Sequence, residues 1–127
     1  MNALVLVFLG AGIGGMFRYG VNVYAPRLFG TSFPAGTMCV NVLGSFLIGC
    51  VAGWLTFKMA APWSQSARLF AVTGVLGGFT TFSAFSLETA LLVDRGATGL
   101  AALYVGGSVA LSLVGVFGGL ALVRALA

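Results

Sequence analysis

Polar residues gather in three narrow bands along this chain, and the sequence between them is almost wholly apolar. The first band is Pro26, Arg27, Gly30, Thr31, Ser32 and Pro34. The second runs from Lys58 to Arg68, and the third is Asp94-Arg95-Gly96. The runs they separate, residues 3–23, 37–57, 69–93 and 100–123, are each close to the roughly 20 apolar residues that carry a helix across a bilayer. The pattern predicts an all-α integral membrane protein with four transmembrane helices, forming a single four-helix membrane domain over residues 1–127. Pro34-Ala-Gly36 opens the second helix. Trp54 and Trp63 suit the membrane–water interface. No basic residue precedes the first run, so it reads as a span and not as a cleaved leader.

Composition narrows the function. The 127 residues are 60% hydrophobic and 6% charged, which excludes an ordinary soluble domain. Six basic against two acidic residues give +4, but the basic residues are scattered with no basic run, which speaks against nucleic-acid binding. Histidine is absent. Cys39 and Cys50 share one predicted helix and lie about 16 Å apart along its axis, too far for a disulfide. They read as small packing residues. With two carboxylates, Glu88 and Asp94, and no histidine, the chain has little with which to build an enzyme.

The third run holds the unusual chemistry. Residues 74–86 read Gly-Val-Leu-Gly-Gly-Phe-Thr-Thr-Phe-Ser-Ala-Phe-Ser, setting hydroxyls among Phe79, Phe82 and Phe85. Gly77-Gly78 lies mid-span, where helical backbone is weakest, and predicts a break. From Arg68 the segment is roughly 39 Å long if helical, against a hydrocarbon core of about 30 Å, so it has length to spare. Irregular backbone at that depth is tolerated only where it is buried or lines a cavity. At helical spacing the three phenylalanines share a face, with Thr80 and Ser83 beside them. Ring edges and hydroxyl donors suit a small anion, and freed carbonyls suit a cation. The plainer account is that the glycines permit close packing and the hydroxyls bond to their own helix.

Other spans add to this. Asn41 is a primary amide in an apolar helix, costly without a partner. Ser45, Gly49 and Gly53 follow it at four-residue spacing on one face. It is either interhelical glue or pore lining. Tyr104, Ser108 and Ser112 form a second polar line on the fourth span. Arg18 either reaches the interface or sets a fixed charge at a pore mouth. Glu88 is either a functional acid or an end-of-helix residue paired with Arg95. Several G-x-x-x-G pairs (Gly10/Gly14, Gly49/Gly53, Gly74/Gly78, Gly115/Gly119) offer close-packing faces for an oligomer.

Orientation is undetermined by charge. Lys58, Arg68 and Arg124 belong to one side and Arg18, Arg27 and Arg95 to the other. That balance leaves the positive-inside rule no preference and permits an antiparallel, dual-topology homodimer.

The run Gly77-Gly78-Phe79-Thr80-Thr81-Phe82-Ser83-Ala84-Phe85-Ser86, with Gly36-Thr37, Val40-Asn41 and Arg18, closely resembles the Fluc (CrcB) family of fluoride channels over essentially the whole chain. The resemblance implies passive fluoride export from the bacterial cytoplasm through an antiparallel homodimer. It implies a structural sodium ion at the dimer interface, bound by backbone carbonyls of Gly77 and Thr80. It also implies pore roles for Asn41, Phe82 and Phe85, with Thr81 and Ser83 close by. Tyr104, Ser108 and Ser112 match a polar track, and Arg18 and Glu88 match the family's charged positions. Ala84 and Val116 depart from the family, each standing where relatives carry a Thr. Two readings compete. A small proton-coupled exporter predicts a carboxylate deep in the first span, where this chain has none. A non-transporting scaffold subunit explains the glycine faces but not the aligned Phe, Asn and hydroxyl groups.

Overall fold

The structure is a computed structural model, and it describes residues 2–126. Asn2 starts the first helix. Its side chain accepts from the Leu4 N–H at 2.7 Å, satisfying a donor that has no partner within the helix. Helix α1 then spans Ala3–Phe29, six residues past the expected end at 23. Pro26 lies inside it. A proline removes one backbone donor, but here it does not stop the helix. The stop is Gly30, whose φ of 79° leaves the helical region.

Helix α2 spans Ala35–Thr56. The third crossing is composite. It begins at α3 (Ser64–Arg68), passes through a π-helical segment (Leu69–Leu76), and continues as the short α4 (Gly77–Phe79). It then breaks and resumes as α5 (Ser83–Asp94). A turn at Gly96, with φ 82°, leads to α6 (Thr98–Leu126). Four crossings are therefore long and apolar enough to span a membrane. Among the described residues there is no strand. Trp54 and Trp63 stack at 5.5 Å at the α2 end, as befits interface residues.

The break differs from the expectation. Gly77 is helical, at φ −63° and ψ −38°, and the chain becomes extended only at Thr80 (φ −87°, ψ 159°). The glycine pair is not the break itself. Gly78 is small because α1 runs against it: a Cβ there would lie 2.5 Å from the Ala11 carbonyl oxygen and 2.9 Å from its Cα.

The other G-x-x-x-G pairs are also used within the chain. Gly10 meets Gly74 so closely that a Cβ on either would sit 2.9 Å from the other's Cα. On the opposite side α2 and α6 join the same way, and a Cβ on Gly119 would lie 2.8 Å from the Cys50 nitrogen. Small residues let backbones touch, and in lipid that contact replaces the hydrophobic drive. The glycine faces expected to serve an oligomer are thus taken up in two intramolecular seams. The outer faces carry large apolar side chains such as Phe8, Met16, Val114 and Phe117. Cys50 is half-buried in the α2–α6 seam. Cys39 is exposed and lines an apolar cavity of about 590 Å³ with Ile13, Met16 and Phe17 of α1.

Candidate functional site

Asn41 holds the break. Its Nδ2 donates to the Thr81 carbonyl at 2.9 Å, and its Oδ1 accepts from the Thr81 N–H at 2.8 Å. One side-chain amide thus satisfies both backbone groups of a residue that has left its helix. A second Nδ2 hydrogen remains for another acceptor.

This clamp has a consequence for two carbonyls. In a continuous helix Gly77 would receive the Thr81 N–H, and Thr80 would receive that of Ala84. The first goes to Asn41 instead, and the second goes to the Thr81 hydroxyl at 3.2 Å. The Gly77 and Thr80 carbonyls have both lost their helical donors. The Leu76 carbonyl, by contrast, accepts twice, from the Thr80 N–H at 3.0 Å and the Thr80 hydroxyl at 2.9 Å.

Beside the break lies a groove of about 320 Å³, walled by α2, α5 and α6. It brings together Asn41, Thr80, Thr81, Phe82, Phe85, Ser108 and Ser112, residues drawn from three separate stretches of sequence. Phe82 is 78% exposed, and its ring lies 5.6 Å from that of Phe85. Phe79 does not join them. It is buried, with its ring edge against Gly44 of α2. The extended Thr80 interrupts the 3.6-residue period, so the expected three-phenylalanine face is split. Ser83 is exposed and does not line the groove, although its hydroxyl is 3.3 Å from that of Thr81. The Ser108 hydroxyl is buried and makes no hydrogen bond.

At the other end of the aromatic row, Glu88 is fully engaged. The Thr37 hydroxyl donates to its Oε1 at 2.8 Å and the Tyr104 hydroxyl to its Oε2 at 2.9 Å. The Tyr104 ring, itself wholly buried, sits 5.1 Å from Phe85 and meets Phe33 edge-on at 5.5 Å. Phe82, Phe85, Tyr104 and Phe33 therefore form a continuous row from groove to carboxylate. Two further cavities, of about 310 and 210 Å³, open beside Glu88 under the first loop. Arg95 turns to the Ser32 carbonyl, so the expected Glu88–Arg95 pair is replaced by two hydroxyl donors. Arg18 is half-buried on α1 and does not line the groove. Thr37 and Phe33 were missed as site residues. Thr37 precedes Asn41 by one helical turn, and that spacing was a readable signal.

Residues 5–120 match the family described as CrcB-like protein, Camphor Resistance (CrcB). The chain belongs to the CrcB family. Curated relatives align with it nearly end to end. A protein of Rhodopseudomonas palustris named fluoride-specific ion channel FluC is 57% identical over 122 residues, covering 96% of this chain and 97% of its own. One of Nitrobacter hamburgensis, named fluoride-specific ion channel FluC 2, is 59% identical over 128 residues, covering 99% of each. A Methylobacterium relative carrying the FluC name is 58% identical over 124 residues, covering 98% and 97%. The stretch shared with the CrcB family includes the break, the groove and the Glu88 cluster.

Proposed function

We propose that this chain is a fluoride-selective channel of the bacterial cytoplasmic membrane, a multi-pass protein that lets fluoride leave the cell passively and so confers fluoride resistance. Its work is transport and not catalysis. The relatives' names state fluoride-specific channels. The observation that carries the reading is Ser108, a buried hydroxyl without a partner on the wall of the groove. Such a group is costly unless a ligand accepts its proton. Fluoride is the smallest halide and the strongest acceptor among them. Phe82 and Phe85 offer it positive ring edges, while Asn41 and Ser112 offer donors. Tyr104 continues the polar line toward Glu88, and Thr81 and Ser83 order the turn beside it. Arg18, half-buried on α1 outside the groove, is a structural or pathway charge.

The working unit is an antiparallel homodimer of this one four-helix membrane domain. The groove is open along one side, and Phe82 stands 78% exposed at its rim, so a second copy would close it. The balanced charges permit opposite insertion. A structural sodium ion between the copies would be held by the Gly77 and Thr80 carbonyls. The loss of both helical donors fits that role, since hard oxygen ligands without other partners suit a hard cation. The ion would contribute fixed positive charge.

Fluoride efflux from liposomes tests the reading, with a parallel chloride trace and a Phe82→Ile control that removes the ring edge at similar bulk. Fast, electrically driven fluoride loss without chloride loss, abolished by the control, is expected. No fluoride movement from folded protein would return the chain to a scaffold role. Replacing sodium by a large organic cation on both sides should stop the flux, and unchanged flux would remove the ion from the reading.

A further inference from the structure

Several hydroxyls near the groove already act on the protein. Thr80 donates to the Leu76 carbonyl, and Thr81 accepts from Ala84. Other helical hydroxyls turn back on their own helices: Thr56, Ser86 and Thr89 each bond to the carbonyl four residues earlier. Three serines behave differently. Ser108 has no partner, and Ser45 and Ser112, both half-buried, take part in none of the side-chain hydrogen bonds found among the described residues. All three line the same groove.

Their positions are complementary. Ser108 and Ser112 lie one turn apart on α6. Ser45 lies on α2, one turn beyond Asn41, on the facing wall. The α6 line goes no further into the groove. Val116, the next position, does not line it, and the Val116 carbonyl is pressed against Gly49 of α2. Two donors on one helix face approach an ion from one side only. A strongly hydrated anion that has shed water must be met from several directions.

We propose that Ser45 is a fluoride ligand on the second wall, donating its O–H to an ion held from the opposite side by the α6 serines. This rests on the channel reading above. It adds a hydroxyl donor to the α2 wall one turn beyond Asn41, opposite the α6 polar line, and it makes Ser45 a residue that sets affinity and rate.

The test compares fluoride efflux from liposomes for the unmodified protein, Ser45→Ala, Ser45→Thr, Ser112→Ala and the double alanine variant. Ser45→Ala should slow efflux about tenfold and raise the half-saturating fluoride concentration, as loss of one hydrogen bond to an ion requires. Ser45→Thr, which keeps the hydroxyl, should recover most of the rate. The double variant should lose less than the product of the single losses, because both serines act on one ion. A merely structural role would lower thermal stability and leave the half-saturating concentration alone. Should Ser45→Ala fail to fold, Ser45→Gly removes the same hydroxyl and carries the test. Unmodified rate and saturation in a folded variant lacking this hydroxyl would overturn the proposal while leaving the channel intact. Failure of the unmodified protein to conduct would overturn the channel reading, and the proposal with it.

Discussion

Around Glu88, the Thr37 and Tyr104 hydroxyls each donate to one carboxylate oxygen, and the Tyr104 ring is packed between Phe33 and Phe85. In the groove one turn along α6, Ser108 is buried like Tyr104, but its hydroxyl donates to nothing. The same residue types thus serve two purposes a short distance apart. A carboxylate brought into the bundle must be hydrogen-bonded, so the hydroxyls near it become structure. Where no protein acceptor is supplied, as at Ser108, the hydroxyl is left unpaired, and the channel proposal gives it to the ion. Exposure alone does not distinguish the two regions; the partner of each donor does.

Removing the clamp beneath the groove should have the largest effect. Asn41→Ala leaves the Thr81 N–H and carbonyl without partners, about 2–6 kcal/mol for the two groups together. Efflux should fall more than about a hundredfold, with a lower thermal midpoint in detergent. Unmodified flux and melting would mean that the break holds without Asn41. Next comes Glu88→Gln. A neutral amide offers one acceptor oxygen to two hydroxyl donors, so stability should drop by about 2 kcal/mol. A thermal midpoint equal to that of the unmodified protein would deny that the cluster is structural.

Ser108→Ala sharpens the contrast from the other side. Efflux should slow about tenfold, close to 1.4 kcal/mol, while the thermal midpoint stays level or rises because an unsatisfied buried hydroxyl has gone. A lower midpoint with unchanged flux would make Ser108 a packing residue. The smallest effect belongs to Thr37→Val, which removes one of the two donors to Glu88 and should cost about 1 kcal/mol of stability. Double-mutant cycles between Thr37 and Tyr104 would then measure how far the two donors depend on each other.

Much of this was legible beforehand because membrane helices are governed by few rules. Length and hydropathy marked four crossings, and four-residue spacing put Tyr104, Ser108 and Ser112 on one line. The misreadings share a cause. Gly77-Gly78 looks like the break because glycine weakens helices, but the close contact of Gly78 with Ala11 is an equally good reason for glycine and leaves the same mark in the sequence. The phenylalanine face was assembled with a helical period that Thr80 interrupts. The glycine pairs advertised close packing without saying against what, and the partners turned out to be in the same chain.

What the sequence determined by itself was the solvent and the inventory: hydrocarbon around four helices, and a small set of polar groups too few to be incidental. Such information is local, because span length and side-chain spacing are properties of one segment. Which groups are engaged was decided only by tertiary structure. Asn41 meets Thr81 across 40 residues, and Thr37 meets Glu88 across 51. Donors and acceptors satisfy each other through space, so whether Asn41 is glue, or Ser108 is free, depends on neighbours that no spacing along the chain can name.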